Sequence, residues 1–331
     1  MKWITLLYGS LLASIILLES CQRETKEQTT QEISTYHNPP EFCADSAFYY
    51  VQKQLTFGPR YLGSHGHQQC GDFLVKELER FKFHVIQQNF DATLYNGKIL
   101  KARNIIGSYQ PTATKRIILA AHWDTRPFAD QDTIRKNDPI LGANDGASGV
   151  AVLLEIARVL HNDTIPLKIG IDIIFFDAED YGEPTWIEEK NYSQTYYCLG
   201  SQYWAKNKHI PNYRAYYGIL LDMVGARNAT FTMEGNSMEY APKIVKKVWD
   251  TAERIGYSQY FVKQETPSVI DDHYFVNRYG GIPMIDIIHY NDDNNEPFFS
   301  DWHKHSDNLE QIDKNVLKAV GQTLLHVLYN E

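Results

Sequence analysis

The sequence predicts an α/β fold: a three-layer sandwich whose central sheet is mixed but mostly parallel, with helices on both faces. Three observations carry this expectation. Short apolar runs alternate with helix-period segments, mainly in the order strand, loop, helix, as a parallel sheet with crossover helices requires. The run IGIDIIFF, ending at Phe176, is apolar almost without a break, as a strand covered on both faces should be. Groups able to bind a divalent cation or move a proton recur just past such runs, where ligands of open α/β sheets collect. These are His122 and Asp124 after 116–121, Glu179 and Asp180 after 168–176, and Asp222 closing 216–222.

Taken in order, residues 1–21 carry Lys2, an apolar run over 3–18, and then Leu18-Glu19-Ser20-Cys21. The run is too short and too close to the start to be read first as a membrane span, and reads as an export signal. Ser20 directly before Cys21, with Leu18 three before it, resembles the bacterial lipoprotein signal. That resemblance implies a lipid anchor on Cys21 and a periplasm-facing place in the bacterial cell envelope; an ordinary secretory signal with an incidental cysteine is the alternative. Residues 22–40, QRETKEQTTQEISTYHNPP, are polar and lack apolar periodicity, as a flexible tether would. No Gly/Ser-rich or Pro-rich linker divides 41–331, which is expected to be a single catalytic domain.

Helical periodicity marks 42–55, 65–81, 147–161, 239–255 and 311–329. Strands are expected at 83–88, 103–107, 116–121, 168–176, 216–222, 259–263 and 282–288. Three long irregular stretches, 125–140, 181–200 and 289–310, follow strands, and loops of that length are usually functional. They hold Trp186, Tyr192, Tyr196, Tyr197, Phe298, Phe299 and Trp302. Most such rings simply pack a loop; Trp186, Phe298 and Trp302 stand near the proposed ligands and are the candidates for a pocket wall.

A hydrophobic fraction of 43% with 22% charged residues suits a globular chain with a full core. The net charge of −9 offers no basic footprint and argues against a nucleic-acid partner. There is no phosphate-cradling loop and no nucleophile elbow, and Ser148 and Ser201 lack triad context, so a serine hydrolase is set aside. Export places the cysteines in an oxidising compartment. Cys43 and Cys70, in the first two expected helices, could pair across that packing and leave Cys198 a buried free thiol; spacing leaves the pairing open.

Imidazole nitrogen and carboxylate oxygen are ligand types that suit zinc. Asp145 in GANDGASG opens the helix at 147, where the partial positive charge of a helix start keeps a carboxylate ionised; a capping role is the plainer alternative. Glu179 and Asp180 are adjacent acids after a buried strand, and repel unless a cation or a shared proton intervenes. His303 in DWHKHSD adds a further imidazole. A histidine at a strand end, such as His122, is often just a satisfied polar group.

In register, HWD, GANDGASG, FFDAEDYGE, LLDMVGA, DDHYFVNRYGGIP and WHKHSDN resemble the zinc aminopeptidase-like fold, and within it the glutaminyl-peptide cyclotransferases. The resemblance covers about 40–331. It implies one zinc per chain, held by Asp145, Asp180 and His303, with Asp180 where family members commonly carry Glu. It implies Glu179 as general acid/base, accompanied by Asp222 and Asp271, and Trp186, Trp302 and Phe298 around the substrate. The implied reaction closes an N-terminal glutamine of a peptide or protein to pyroglutamate and releases ammonia. His122 and Asp124 are then second-metal or supporting residues, Asp307 is a supporting one, and Asp177 faces away. The rival of the same fold is a two-zinc aminopeptidase, for which His122 and Asp222, with Asp145 bridging, would hold the second ion. Asp271-Asp272-His273, where such peptidases typically carry Ser-Asp-His, and Trp302 before His303 favour the cyclase. A binding relative without chemistry would usually have lost ligands, and here all are present. The oligomeric state is not legible.

Overall fold

The computed structural model describes residues 36–165, 167–188, 195–291 and 297–331. The expected signal with Cys21, most of the tether, and Tyr192 lie outside the described residues. In chain order the elements are α1 (Ala44–Leu55), α2 (His65–Arg80), β1 (His84–Thr93), β2 (Ile99–Tyr109), β3 (Arg116–His122), α3 (Ala147–Asn162), β4 (Gly170–Phe176) and α4 (Leu199–Lys206). There follow β5 (Tyr217–Asp222), β6 (Phe231–Glu234), α5 (Gly235–Tyr240), α6 (Pro242–Arg254), β7 (Phe261–Thr266), α7 (Asp272–Phe275), β8 (Met284–Ile288) and α8 (Lys314–Tyr329).

Strands β3 and β4 are buried at every residue, which explains their unbroken apolar sequence. They sit inside a six-stranded sheet of order β1-β2-β4-β3-β5-β8. The pairs β4–β3, β3–β5 and β5–β8 are parallel, and β1–β2 and β2–β4 antiparallel. Side chains alternate between the faces with the strand period of two. Ile117, Leu119, Ala121, Ile171, Ile173 and Phe175 join the core made with α1, α2, α3, α6 and α8. Ile118, Ala120, Ile174 and Phe176 point the other way, against Trp204 of α4 and Val276. The sheet is thus covered on both faces, as expected.

Helix α3 lies hard against the sheet because Gly149 has no side chain. A Cβ there would come 2.5 Å from the Leu221 carbonyl oxygen and 2.9 Å from Ala121 Cβ. This close approach brings the start of α3 to the carboxyl ends of β3 and β5. At the opposite end of the sheet, buried Arg116 and Asp172 form a two-bond pair, Nε to Oδ2 at 2.7 Å and Nη2 to Oδ1 at 2.6 Å. Ser108 and Tyr213 each donate a hydroxyl to the same carboxylate at 2.5 Å.

Some expectations need correction. The helix expected over 239–255 is two helices, because Pro242 cannot continue α5 and instead starts α6 at its first residue. The strand expected at 259–263 begins two residues later and pairs with β6 in a separate two-stranded parallel sheet. Part of the stretch expected to be irregular over 181–200 ends in α4. The suggested Cys43–Cys70 bridge is absent: both are free thiols, Cys43 exposed ahead of α1 and Cys70 sealed in the core on α2. Upstream of α1, His37 N–H donates to Asn330 Oδ1 at 2.9 Å, and the Pro40 carbonyl accepts from Gln322 at 3.3 Å.

Removing one member of a buried ion pair leaves the other charge uncompensated. Asp172→Ala is therefore expected to cost about 3–5 kcal/mol in urea unfolding. Turnover per folded molecule should be unchanged, because the pair closes the amino ends of the strands.

Candidate metal and catalytic site

Strand β3 is flanked by β4 on one side and β5 on the other, so the chain diverges at its carboxyl end and leaves a crevice there. His122 ends β3, Asp222 ends β5, the turn 177–180 follows β4, and Asp145 precedes α3. Gly146 makes the last placement possible with a φ of +100°; a Cβ on it would lie 2.5 Å from the Asp124 carbonyl oxygen. The Asp307 carboxylate accepts from the N–H groups of Asn144 at 2.8 Å and Asp145 at 3.0 Å. Asp124 does the same for the acidic turn, accepting from Glu179 N–H at 3.0 Å and Asp180 N–H at 3.2 Å. Asp177 faces away, towards His67 Nε2 at 2.9 Å and the N–H of Arg103 at 2.7 Å.

His303 reaches the crevice from a left-handed backbone position, φ 56°, with Nε2 at 3.0 Å from Asp180 Oδ1 and 3.8 Å from Asp145 Oδ2. Its Nδ1 lies 3.2 Å from Asp130 Oδ1, and Asp130 is itself gripped by Arg126 at 3.0 and 2.8 Å. The Trp302 ring stacks on the imidazole with centroids 3.7 Å apart. Asp145 Oδ2 and Asp180 Oδ2 are buried without a hydrogen-bond partner. Two carboxylate oxygens and an imidazole nitrogen, all within 4.8 Å of one another, with oxygens left unsatisfied, fit a divalent cation. A second triad shares Asp145: His122 Nε2 is 3.1 Å from both Asp145 Oδ1 and Asp222 Oδ1. Burial disfavours charge on both histidines, yet the carboxylates around them outweigh it and raise their pKa values.

Beside these ligands stands a bank of acids. Glu179 is held well above the ordinary carboxylate range, first by burial and then by repulsion from Asp180, Asp271 and Asp272. The Cys198 thiol donates to its Oε1 at 3.2 Å. Asp222 is pushed up to about 7 by burial, against the opposing bond from His122. Asp271 accepts the first amide of α7, and its Oδ2 has no partner. Behind it Asp272 and Asp286 are buried and raised well above the usual range, chiefly by desolvation and the Asp271 charge. His273 places Nε2 3.0 Å from Glu234 and Nδ1 3.6 Å from Asp286.

Asp145, Glu179, Asp180, Asp222, Asp271 and His303 face a cavity of about 270 Å³ lined also by Phe298, Trp302, Tyr197, Met223, Val269 and Ile270. The Phe298 and Trp302 rings are 5.0 Å apart. Every residue expected as ligand or acid/base is therefore gathered here, with Phe298 and Trp302. Trp186 is not among the lining residues: it is 42% exposed and packs edge-on against Phe128, with centroids 5.6 Å apart. Sequence reading missed Asp130, Glu234, Asp286 and the contact of Cys198 with Glu179. The one signal for Asp286 was a lone charge in an apolar strand, and Asp172 in IGIDIIFF carries that same signal at the structural end of the sheet.

Residues 104–328 match the sequence profile of peptidase family M28. The glutaminyl-peptide cyclotransferase of Gloydius blomhoffii is 29% identical over 247 residues, covering 67% of this chain and 63% of its own length. That of Drosophila melanogaster is 27% identical over 278 residues, covering 77% and 72%. The chain thus spans somewhat under two thirds to about three quarters of these relatives. Among solved structures, Bacteroides thetaiotaomicron glutaminyl cyclase bound to N-acetylhistamine shares 51% identity with a TM-score of 0.86, covering 89% of this chain and all of that one. A Zn-dependent exopeptidase from Parabacteroides distasonis shares 49% with a TM-score of 0.85, covering 88% and 99%. With the family profile matched over residues 104–328 and the fold shared with solved glutaminyl cyclases at about half identity, the chain belongs to peptidase family M28 and, within it, to the group of the glutaminyl cyclases.

Proposed function

We propose that this chain cyclises the N-terminal glutamine of peptides and proteins to pyroglutamate with release of ammonia. The observation that carries the reading is Glu179: a carboxyl with a raised pKa, beside a two-carboxylate, one-imidazole cation site, at the mouth of a small aromatic cavity. Asp145, Asp180 and His303 would hold a single zinc, which supplies a Lewis acid for the γ-carboxamide oxygen. Asp130 and Arg126 fix the imidazole of His303, and Asp124 and Asp307 fix the backbone of the carboxylate ligands. Glu179 takes a proton from the α-amine as it attacks and returns it to the departing nitrogen, a double task that a pKa near neutrality suits. Burial first, and then the charges of Asp180, Asp271 and Asp272, hold its pKa above the ordinary carboxylate range. Phe298 and Trp302 box the glutamine side chain so that it stays folded on its own amine, and ring closure needs no outside nucleophile.

The same geometry holds one observation in favour of a two-metal exopeptidase, since His122, Asp145 and Asp222 converge within 4.8 Å. Against it stand Asp272 and Asp286, buried acids held well above the usual carboxylate range; a second cation would draw their protons off. The proposed export signal, lipid anchor on Cys21, tether over 22–40 and place in the cell envelope rest on Lys2, the apolar run and Ser20-Cys21. Among the described residues no helix is long and apolar enough to cross a membrane.

Purified protein given Gln-peptides should release ammonia without cleaving the chain and should carry one tightly bound zinc; peptide cleavage with two ions would make it an exopeptidase. Glu179→Gln should retain zinc and lose about a hundredfold or more in kcat. His303→Ala should lose both zinc and turnover, measured by metal content and ammonia release. Removal of the metal has its own pH signature. Carboxyls raised in the fold, Asp222 to about 7 and Asp307 to about 8 with Glu179, Asp272 and Asp286, bind protons more tightly folded than unfolded. Their stabilisation is present below about pH 4 and is lost as pH rises through the raised values. Chelator-stripped protein should therefore fall further below the metal-bound form in Tm at pH 8 than at pH 5.5.

A further inference from the structure

Among the described residues Cys198 is the one thiol in the bank of acids, and nothing in the reaction calls for it. Its Sγ lies 3.2 Å from Glu179 Oε1 and 4.0 Å from Asp271 Oδ1, and one donor atom from each of the three residues falls within 4.8 Å of the others. Ligand sulfur and oxygen around a tetrahedral cation of zinc type stand about 3.6 Å apart, given metal–sulfur and metal–oxygen distances of about 2.3 and 2.1 Å. The observed pair of distances brackets that value. Asp271 is 4% exposed, and its Oδ2 is a buried acceptor with no hydrogen-bond partner. The thiol is held in place by the backbone. Cys198 adopts a left-handed conformation, φ 56°, and its N–H donates to the Glu179 carbonyl at 2.8 Å, so residue and partner move as one piece.

We propose that Glu179, Cys198 and Asp271 form an inhibitory site for a thiophilic divalent cation, such as cadmium or zinc in excess. It is separate in chemistry from the Asp145, Asp180 and His303 triad, which contains no sulfur. The cation enters by the substrate's route, because Glu179 and Asp271 both line the cavity. Binding forms a metal–sulfur bond as the S–H bond breaks, and the proton leaves to solvent; no electrons are transferred. Two carboxylates and a thiolate offset the charge of the ion. Once bound, the ion occupies the oxygens that Glu179 needs for moving protons. This consequence rests on the proposed role of Glu179, whereas the binding does not.

The test is a cadmium titration of the zinc-loaded protein, read by the ultraviolet charge-transfer band of cadmium–thiolate bonds. Cys198→Ala, with Cys198→Ser as the size-matched variant should the first fail to fold, keeps the other cysteines and so subtracts their signal. A difference band saturating at one ion per chain is expected, with turnover of the wild type falling about tenfold or more in parallel and inhibition of the variants about tenfold weaker. Absence of the difference band would overturn the site. A band with turnover intact would overturn the inhibitory role; Glu179→Gln assayed without cadmium then separates the causes, since a dead variant leaves the base assignment standing and an active one removes it.

Discussion

Seven carboxyl groups converge, buried, at the carboxyl ends of β3, β4, β5 and β8, and they cannot all be charged together. Two like charges 4 Å apart cost about 4 kcal/mol even at the effective dielectric of a protein surface. The molecule divides the problem by position. On the side of Asp145 and Asp180, His303 and His122 approach and oxygens are left free for a cation. On the side of Asp271 the carboxyls outnumber the imidazoles, and Asp272 and Asp286 are relieved by holding protons. Glu179 lies on the border between them. Its raised pKa is a result of this partition rather than of any one contact.

Holding such a bank together requires a frame that does not yield. Ala178, Cys198, Met223 and His303 all sit at positive φ within or beside the site, a conformation that costs L-residues roughly 1–2 kcal/mol each. The opposing support is at hand in the fully buried β3 and β4, in α3 pressed onto them at Gly149, and in Arg60. That guanidinium is sealed from solvent and donates to the carbonyls of Trp123, Leu141 and Gly142, tying the segment before α2 to the loops that carry Asp124 and Asp145. Strain therefore sits at one end of the sheet, and the Arg116–Asp172 pair secures the other.

Much of this was legible because strand burial and ligand placement leave local marks. An apolar run followed at once by an acid or histidine marks both a strand and its carboxyl end, and His122, Glu179, Asp180 and Asp222 were found in that way. Asp145 and His303 sit on loops where only neighbouring residues, GANDGASG and WHKHSDN, gave them away. Asp130 and Glu234 left no mark, since their role is to hold a histidine far away in sequence, and pairing at a distance has no local period. Trp186 is the one expected wall residue outside the cavity lining: nearness in sequence to Asp180 does not fix the direction of a loop, and the ring packs against Phe128. Pro242 was a visible helix start that the periodicity on either side obscured.

The nearness of the cyclase arrangement to a cleaving one follows from the nucleophile. Hydrolysis must bring a water to the carbonyl and activate it, which is the service a second ion between His122, Asp145 and Asp222 could render. Cyclisation brings its nucleophile within the substrate, so a second ion has nothing to activate, and the groups that would bind it are free to serve otherwise. Here His122 Nε2 stands 3.1 Å from both Asp145 Oδ1 and Asp222 Oδ1. The same ligand residues can thus stand in both kinds of enzyme, and on the proposed reading the carboxyls one layer deeper, Asp272 and Asp286, are what would separate them.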